Sequence, residues 1–340
     1  MWHQGQPSKG DAARLRLTRL EGGKKGPVVL AGGFAMSTHS FVLDTIGTNM
    51  AEYLVDRKYD VWLFDYRASK DLPSAKSQFT LDDIAREDWP TAVAEILRVT
   101  EQPDLQAYGH CVASATLLMA MLWGMKGVRS AVCSQFTTHP MGSLLSRIKA
   151  YLRVGPLMGR LGIHVVGPNT KLNVPDVLLD LSLMALPMAT EEKCGLALCR
   201  WINAIYGCTH RHAQLDQATH DAMVGMFGVG NVSALKHLAV MTRKAKTVDH
   251  HGKNVYLTHP ERLRLPILFL HGSRNYIFMP RGSAKTVAWL RRANGPGLYD
   301  RRVLKGYAHL DTLIGRNAAR DVFPHIIDFF NRTNPLPPPP

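Results

Sequence analysis

Short apolar runs recur along the chain, each followed by a turn and then by a stretch with helical spacing. Val28-Val29-Leu30-Ala31 stops at Gly32-Gly33 and predicts a buried strand running into a loop. Leu43, Ile46, Met50 and Leu54 recur near helical spacing and predict a helix over 42–56. Val61-Trp62-Leu63-Phe64 predicts a second strand, ended by Asp65-Tyr66-Arg67. A helix is expected over 81–99, capped by Thr80, with Asp82 and Asp83 in its first turn and Pro90 bending or restarting it. A strand at 105–108, a sharp turn at 109–113 and an apolar helix at 114–125 follow. Further strands are expected at 128–133, 266–270 and 301–304, and further helices at 284–292 and 318–330.

Strands alternating with helices imply an α/β architecture, a mostly parallel sheet covered on both faces. The stretch 141–256 breaks the rhythm, being rich in helix formers, Met, His and Arg, and predicts an inserted helical cap. The expected organisation is a basic extension (1–25), a core in two pieces (26–140 and 257–331), the cap between them, and a Pro-rich tail (332–340).

Composition narrows the classes. The 340 residues are 46% hydrophobic and 20% charged, which supports a large core and excludes wholesale disorder. Lys and Arg number 41 against 27 Asp and Glu, a formal charge of +14 that favours anionic partners, such as an anionic group on a substrate. No feature points to specific nucleic-acid binding, and a homodimer is left open. Residues 1–25 are polar, without the apolar segment of a secretory signal, and the apolar run 112–125 is too short to span a bilayer. Five cysteines with no CxxC pair make no disulfide framework, so reduced thiols and a cytoplasmic setting are expected. No metal and no cofactor are expected: Cys194, Cys199 and Cys208 lack the His spacing of a zinc module, and the imidazoles of His210 and His212 would not share a helical face.

The chemistry concentrates in Gly109-His110-Cys111-Val112-Ala113-Ser114, between a strand and a helix. Small neighbours let the chain turn tightly and lift one side chain above the sheet, as in G-x-S-x-G, with Cys111 at the nucleophile position and Ala113 replacing the second glycine. The helix start is expected to favour the thiolate of Cys111. Gly32-Gly33-Phe34 follows the first strand, so the backbone N–H groups of Phe34 and Val112 are the expected oxyanion hole. His309, in Gly306-Tyr307-Ala308-His309-Leu310-Asp311 after the last strand, is the expected proton carrier. Where a Ser…Asp…His order puts the acid, the chain has Asn275; its amide oxygen is expected to orient His309, with Asp311 as the alternative.

The order of GGF, DYRAS, GHCVAS, HGSRN and GYAHLD resembles the α/β-hydrolase superfamily, over roughly residues 26–331. Within it, GHCVAS at 109–114, YGCTH at 206–210, Met226-Phe227-Gly228 and the stretch 306–321 resemble the α/β-hydrolase module associated with cholesterol-oxidase-like flavoproteins of the GMC class. The chain has no G-x-G-x-x-G between a strand and a helix, so no flavin or nicotinamide site is implied. Asp65-Tyr66-Arg67 and the stretch 306–315 also resemble acid lipases, which use Ser, and the Cys-centred elbow resembles polyhydroxyalkanoate synthases and depolymerases. These resemblances imply an α/β-hydrolase fold and a Cys-dependent acyl hydrolase, an esterase or thioesterase of lipid metabolism. An acyltransferase and a non-catalytic binding protein are the alternatives. Apolar residues of the cap, including Leu178, Leu181, Leu183, Met188, Trp201, Ile205, Tyr206, Met223, Met226 and Phe227, suggest an apolar acyl substrate.

Overall fold

The computed structural model describes residues 2–4, 13–151, 165–166, 194, 196, 199, 202 and 206–334. The strands that define it are β1 (Trp2–Gln4), β2 (Arg16–Leu20), β3 (Pro27–Ala31), β4 (Asp60–Asp65), β5 (Leu105–His110) and β6 (Val128–Ser134). They are followed by β7 (Val165–Val166), β8 (Gly230–Asn231), β9 (Ile267–Gly272) and β10 (Tyr299–Leu304). Eight of them form one sheet in the order β1-β2-β4-β3-β5-β6-β9-β10, parallel from β4 to β10 and antiparallel at the β1–β2–β4 edge.

The central strands are apolar on both faces because both faces are covered. Val29 and Ala31, Trp62 and Phe64, and Ile267 and Phe269 point into one core. Their alternates Val28 and Leu30, Val61 and Leu63, and Leu268 and Leu270 point into the other. Helices α2 (Trp89–Thr100), α3 (Val112–Trp123) and α6 (Arg281–Asn294) cover the first face. Helices α1 (Met50–Asp56) and α7 (Phe323–Arg332) cover the second. The apolar run read as a buried helix is α3, buried from Val112 to Leu122 and stopped by Gly124 at φ 119°.

Two expected helices are shorter than their periodicity implies. Only Met50–Asp56 of the 42–56 stretch is helical, because Asn49 caps it: the Asn49 side chain accepts from the Glu52 N–H, and Glu52 Oε2 accepts from the Asn49 N–H. Leu43 and Ile46 are buried from a loop instead. The 318–330 stretch breaks at Val322, with Pro324 in the first turn of α7. Pro90 restarts the helix as expected: α2 begins at Trp89, after a wider turn over Ile84–Asp88.

The stretch expected to be an extension outside the core contains β2, which pairs with β4. Its arginines disguise it. Arg16 donates to Asp65 through Nε and Nη2 at 2.8 and 2.6 Å, and Arg19 donates to both oxygens of Asp60 at 2.8 and 3.0 Å. Strand β2 is thus joined to β4 by ion pairs as well as by the burial of Leu17 in the core. Between β6 and β9 the described residues add no strand to the main sheet. They include α4 (Gln217–Met226) and α5 (Val232–Lys244). The apolar positions 178–188, Trp201, Ile205 and the proline tail lie outside the described residues.

Just after β4, Arg67 is 1% exposed and lies against Asp88, which is wholly buried. Its Nε and Nη2 donate to Asp88 Oδ1 at 2.9 and 2.7 Å, and Nη2 also reaches Glu87 Oε2 at 2.8 Å. Asp88→Ala would strip a buried guanidinium of its main counter-charge. We expect a loss of ~3–5 kcal/mol in urea denaturation; a loss below ~1 kcal/mol, the level of an exposed pair, would contradict this account.

Candidate active site

The turn after β5 puts Cys111 at φ 57°, ψ −121°, a conformation L-residues adopt only under constraint. Two features hold it there. The Cys111 N–H donates to Ser134 O on β6 at 2.9 Å, and α3 begins at once, with the Ala115 N–H donating to Cys111 O at 3.2 Å. Gly109 must lack a side chain, because a Cβ there would lie 2.7 Å from the Ser114 backbone. Ser114 is buried and its hydroxyl donates to Phe136 O at 2.8 Å, so it is a structural residue of α3.

The loop after β3 lies directly against this turn. A Cβ on Gly33 would be 3.6 Å from Cys111 Cβ. The Tyr66 hydroxyl is 3.0 Å from the carbonyl oxygens of both Gly32 and Gly33, which fixes the direction of the following N–H groups. The backbone N–H groups of Phe34 and Val112 lie near enough to the Cys111 sulfur to favour its thiolate. The three groups expected to form nucleophile and oxyanion hole are therefore together. Tyr206 packs edge-on to Phe34 with ring centroids 6.4 Å apart, and burial, then the neighbouring Cys111, raises its phenol above the usual range.

His309 reaches the same end of the sheet. Gly272, the last residue of β9, permits this: a Cβ there would lie 2.3 Å from Tyr307 O and 2.4 Å from Ala308 O. The His309 ring meets the ring of His110 edge-on at 5.1 Å, one residue before Cys111, and lies 6.3 Å from Phe278. Among the described residues no hydrogen bond joins His309 to Cys111.

Neither residue expected to orient His309 touches its ring nitrogens. His309 Nδ1 is buried without a hydrogen-bond partner. The Asn275 amide oxygen accepts from the N–H groups of Ile277 and Phe278, both at 3.1 Å, and its NH2 donates to the Gln135 side chain at 2.8 Å. Asn275 therefore reaches His309 only through Gln135, whose NH2 donates to Thr312 Oγ1 at 2.8 Å; Thr312 in turn donates to His309 O at 3.2 Å. Asp311 accepts from the Ala308 N–H at 2.7 Å and the Arg211 N–H at 3.1 Å, which folds the loop and docks the cap on it. The His309 ring is positioned by packing and by this loop.

The electrostatics also depart from the expected thiolate. Burial dominates the influence of the helix start and pushes the Cys111 thiol up to about 12, against the lowering effect of the two N–H groups. Burial, then the neighbouring His110 and His271, holds His309 well below the usual imidazole range. Burial alone takes His110 down to about 3, and His271 also falls to about 3, chiefly through burial. Burial thus favours the neutral thiol and the neutral imidazoles at this site.

No family model matches the chain. Over 140 residues it is 27% identical to the lipase lipl-1 of Caenorhabditis elegans, covering 38% of this chain and 34% of that protein. The matched region thus spans about a third of the curated relative's length. Among solved structures, a soluble variant of monoglyceride lipase from Saccharomyces cerevisiae superposes with TM-score 0.61 and 13% identity, covering 98% of this chain and 96% of that one. A carboxylesterase study of the thaumarchaeon Nitrososphaera gargenis gives TM-score 0.58 and 12% identity with 98% of each chain covered. A lipase in its open form gives 0.62 and 12%, covering 99% of this chain and 100% of that one. The fold is the α/β-hydrolase fold. Among the described residues no helix is long and apolar enough to cross a membrane.

The buried histidines make stability depend on pH. His110 and His271 have folded pKa values near 3 against about 6.5 in the unfolded chain. Between those values the unfolded state binds more protons, so stability is intact above about pH 6.5 and falls as the pH drops toward 3. We expect the melting temperature to decline over that window. Removing one proton-binding site in His110→Leu should flatten the dependence by ~1.4 kcal/mol per pH unit; an unchanged slope would show that His110 is not buried neutral.

Proposed function

We propose that the protein is a Cys-dependent acyl hydrolase, acting on a carboxylic ester or thioester with an apolar acyl group. The observation that carries this reading is the strained Cys111 with the Gly33–Phe34 loop packed against it. An ordinary buried cysteine needs neither the backbone conformation nor that loop. The lipase relative supports the ester chemistry, and Phe34, Met36, Tyr206, Met226 and Phe227 supply an apolar surround. The likeness to the hydrolase module associated with GMC flavoproteins belongs to this reading as well, and the mechanism uses no flavin. The +14 charge fits a substrate with an anionic group, such as an acyl-CoA.

In the proposed reaction the Cys111 sulfur attacks the acyl carbonyl while His309 takes the thiol proton. Transfer accompanies attack, because a thiol near 12 and a depressed imidazole disfavour an ion pair beforehand. The developing oxyanion accepts from the two N–H groups. Protonated His309 gives its proton to the departing alkoxide or thiolate, leaving a thioester on Cys111. Water then attacks the thioester, His309 takes its proton and returns it to the sulfur, and the free acid leaves. Asn275 and Asp311 act in this scheme by holding the His309 loop.

One observation favours the non-catalytic alternative: His309 Nδ1 faces no acceptor. Turnover of p-nitrophenyl esters and acyl-CoAs separates the readings. Cys111→Ala should lose roughly 10³-fold or more of kcat/KM, while Ser114→Ala keeps most of it. Equal turnover by wild type and Cys111→Ala would eliminate the Cys-dependent reading. Polymer or transferred ester from a hydroxyacyl-CoA, instead of free acid, would move the assignment to acyl transfer.

The neutral pair makes a second prediction. His309 stays unprotonated below the ordinary imidazole value and the thiol stays protonated to about 12, so kcat/KM should be flat across roughly pH 5–9. An acid limb near pH 6.5, or activity tracking a thiolate that forms near neutrality, would refute the concerted scheme.

A further inference from the structure

The cap contains a second cluster of side chains whose geometry the proposed hydrolysis does not use. His210 and His212 were not expected to converge, on the assumption of a helix. Residues 207–211 are instead irregular and His212 opens a single tight turn, so both rings swing toward Cys199. The Cys199 sulfur lies 3.3 Å from His210 Nε2, 3.6 Å from His212 Nε2 and 3.3 Å from His220 Nε2. The Cys194 sulfur lies 3.4 Å from His220 Nε2. The ligand atoms of Cys194, Cys199, His212 and His220 all fall within 4.8 Å of one another.

From these positions we infer that Cys194, Cys199, His212 and His220 bind a structural zinc ion. The three sulfur–nitrogen distances within this set, 3.3, 3.4 and 3.6 Å, suit neighbouring ligands of one ion. Zinc–sulfur and zinc–nitrogen bonds of about 2.3 and 2.05 Å at tetrahedral angles put ligand sulfur and nitrogen roughly 3.6 Å apart. Hydrogen bonding alone accounts poorly for the cluster, since one thiol has a single weak proton to share among three imidazoles. The charge balances too: two thiolates and a dication sum to zero, which suits a place where Cys199 is wholly buried and His220 is 8% exposed. Two sulfurs and two imidazoles favour zinc over hard, oxygen-seeking cations.

His210 completes the arrangement from outside the tetrahedron. Its Nδ1 lies 3.0 Å from the Thr209 hydroxyl. With that hydroxyl donating to Nδ1, Nε2 carries the proton and points it at the Cys199 thiolate, as an outer hydrogen bond to a metal ligand does. All four positions are taken by protein, so the ion holds structure rather than substrate.

What it holds is next to the His309 loop. Thr209 O accepts from the Leu310 N–H at 2.7 Å, and the Arg211 N–H donates to Asp311 Oδ1 at 3.1 Å. Helix α4, which carries His220, leads to Phe227, bridged to Met36 beside the Phe34 loop. The ion would pin the cap segment that clamps both.

The full-length chain, reconstituted with zinc chloride under reducing conditions and desalted, should retain about one zinc per chain by elemental analysis. Cys194 and Cys199 should resist alkylation until a chelator is added. Cobalt(II) in place of zinc should give a thiolate-to-cobalt charge-transfer band and the intense visible bands of a tetrahedral centre. The double variant Cys194→Ser/Cys199→Ser should lose both the zinc and the cobalt spectrum. The inference is overturned if the wild-type chain retains far less than one zinc, if its cobalt form has no thiolate band, if the double variant keeps the metal, or if Cys194 and Cys199 prove to be disulfide-linked. The wild-type measurements stand even if the variant misfolds, and none of these readouts depends on hydrolase activity.

Discussion

Two strands end where other backbone must pass, and the site exists because neither carries a side chain there. At Gly109 an added Cβ would sit 2.7 Å from Ser114, and at Gly272 it would sit 2.3 Å from the Tyr307 carbonyl. The first absence lets the chain reverse into α3 with Cys111 at its apex. The second lets the loop after β10 settle on β9 and deliver His309. Both are backbone-on-backbone contacts, so no rotamer change could relieve a larger residue. The chemistry of the site therefore rests on an exclusion constraint in the sheet before it rests on any polar contact.

That packing also sets the electrostatics. Bringing His110, His271 and His309 together under α/β layers removes water from all three, and the rings respond by remaining neutral. The same desolvation outweighs the field at the start of α3 and keeps Cys111 protonated. A helix terminus offers at most a few tenths to about 2 kcal/mol to an adjacent charge, whereas full burial of an ionised group shifts its titration by several units.

The strands, the elbow and the His309 loop were legible in the sequence because each is local. A run of four or five apolar residues, a glycine at the strand end and a small-residue turn carry their own explanation. Strand β2 was missed because Arg16 and Arg19 read as solvated charges, and only Asp65 and Asp60, 49 and 41 residues away, make them strand residues. Asn275 was misjudged for the converse reason. Its place after β9 was readable, but whether its amide oxygen is free depends on the N–H groups of Ile277 and Phe278, which take it. The 42–56 stretch shows periodicity losing to a cap: Asn49 and Glu52 close the helix at its N-terminus, and the apolar positions before it pack without helical structure.

Asp311 illustrates how one carboxylate can be excluded from a role by its other duties. Two residues from His309, it already accepts from Ala308 within its own loop and from Arg211 across to the cap. Turning it toward the imidazole would release both, unfold the loop that presents His309, and detach the cap segment bearing His210 and His212. Holding the ring from behind is therefore left to packing against His110 and Phe278 and to the chain Asn275–Gln135–Thr312, which ends on the His309 carbonyl rather than on its ring. A ring held by shape and backbone carries no charge-assisted bond at Nδ1. The cap segment at Thr209 and Arg211 and the His309 loop are tied together by two hydrogen bonds, Leu310 N–H to Thr209 O and Arg211 N–H to Asp311, so the contacts that shape the loop also dock the cap on it.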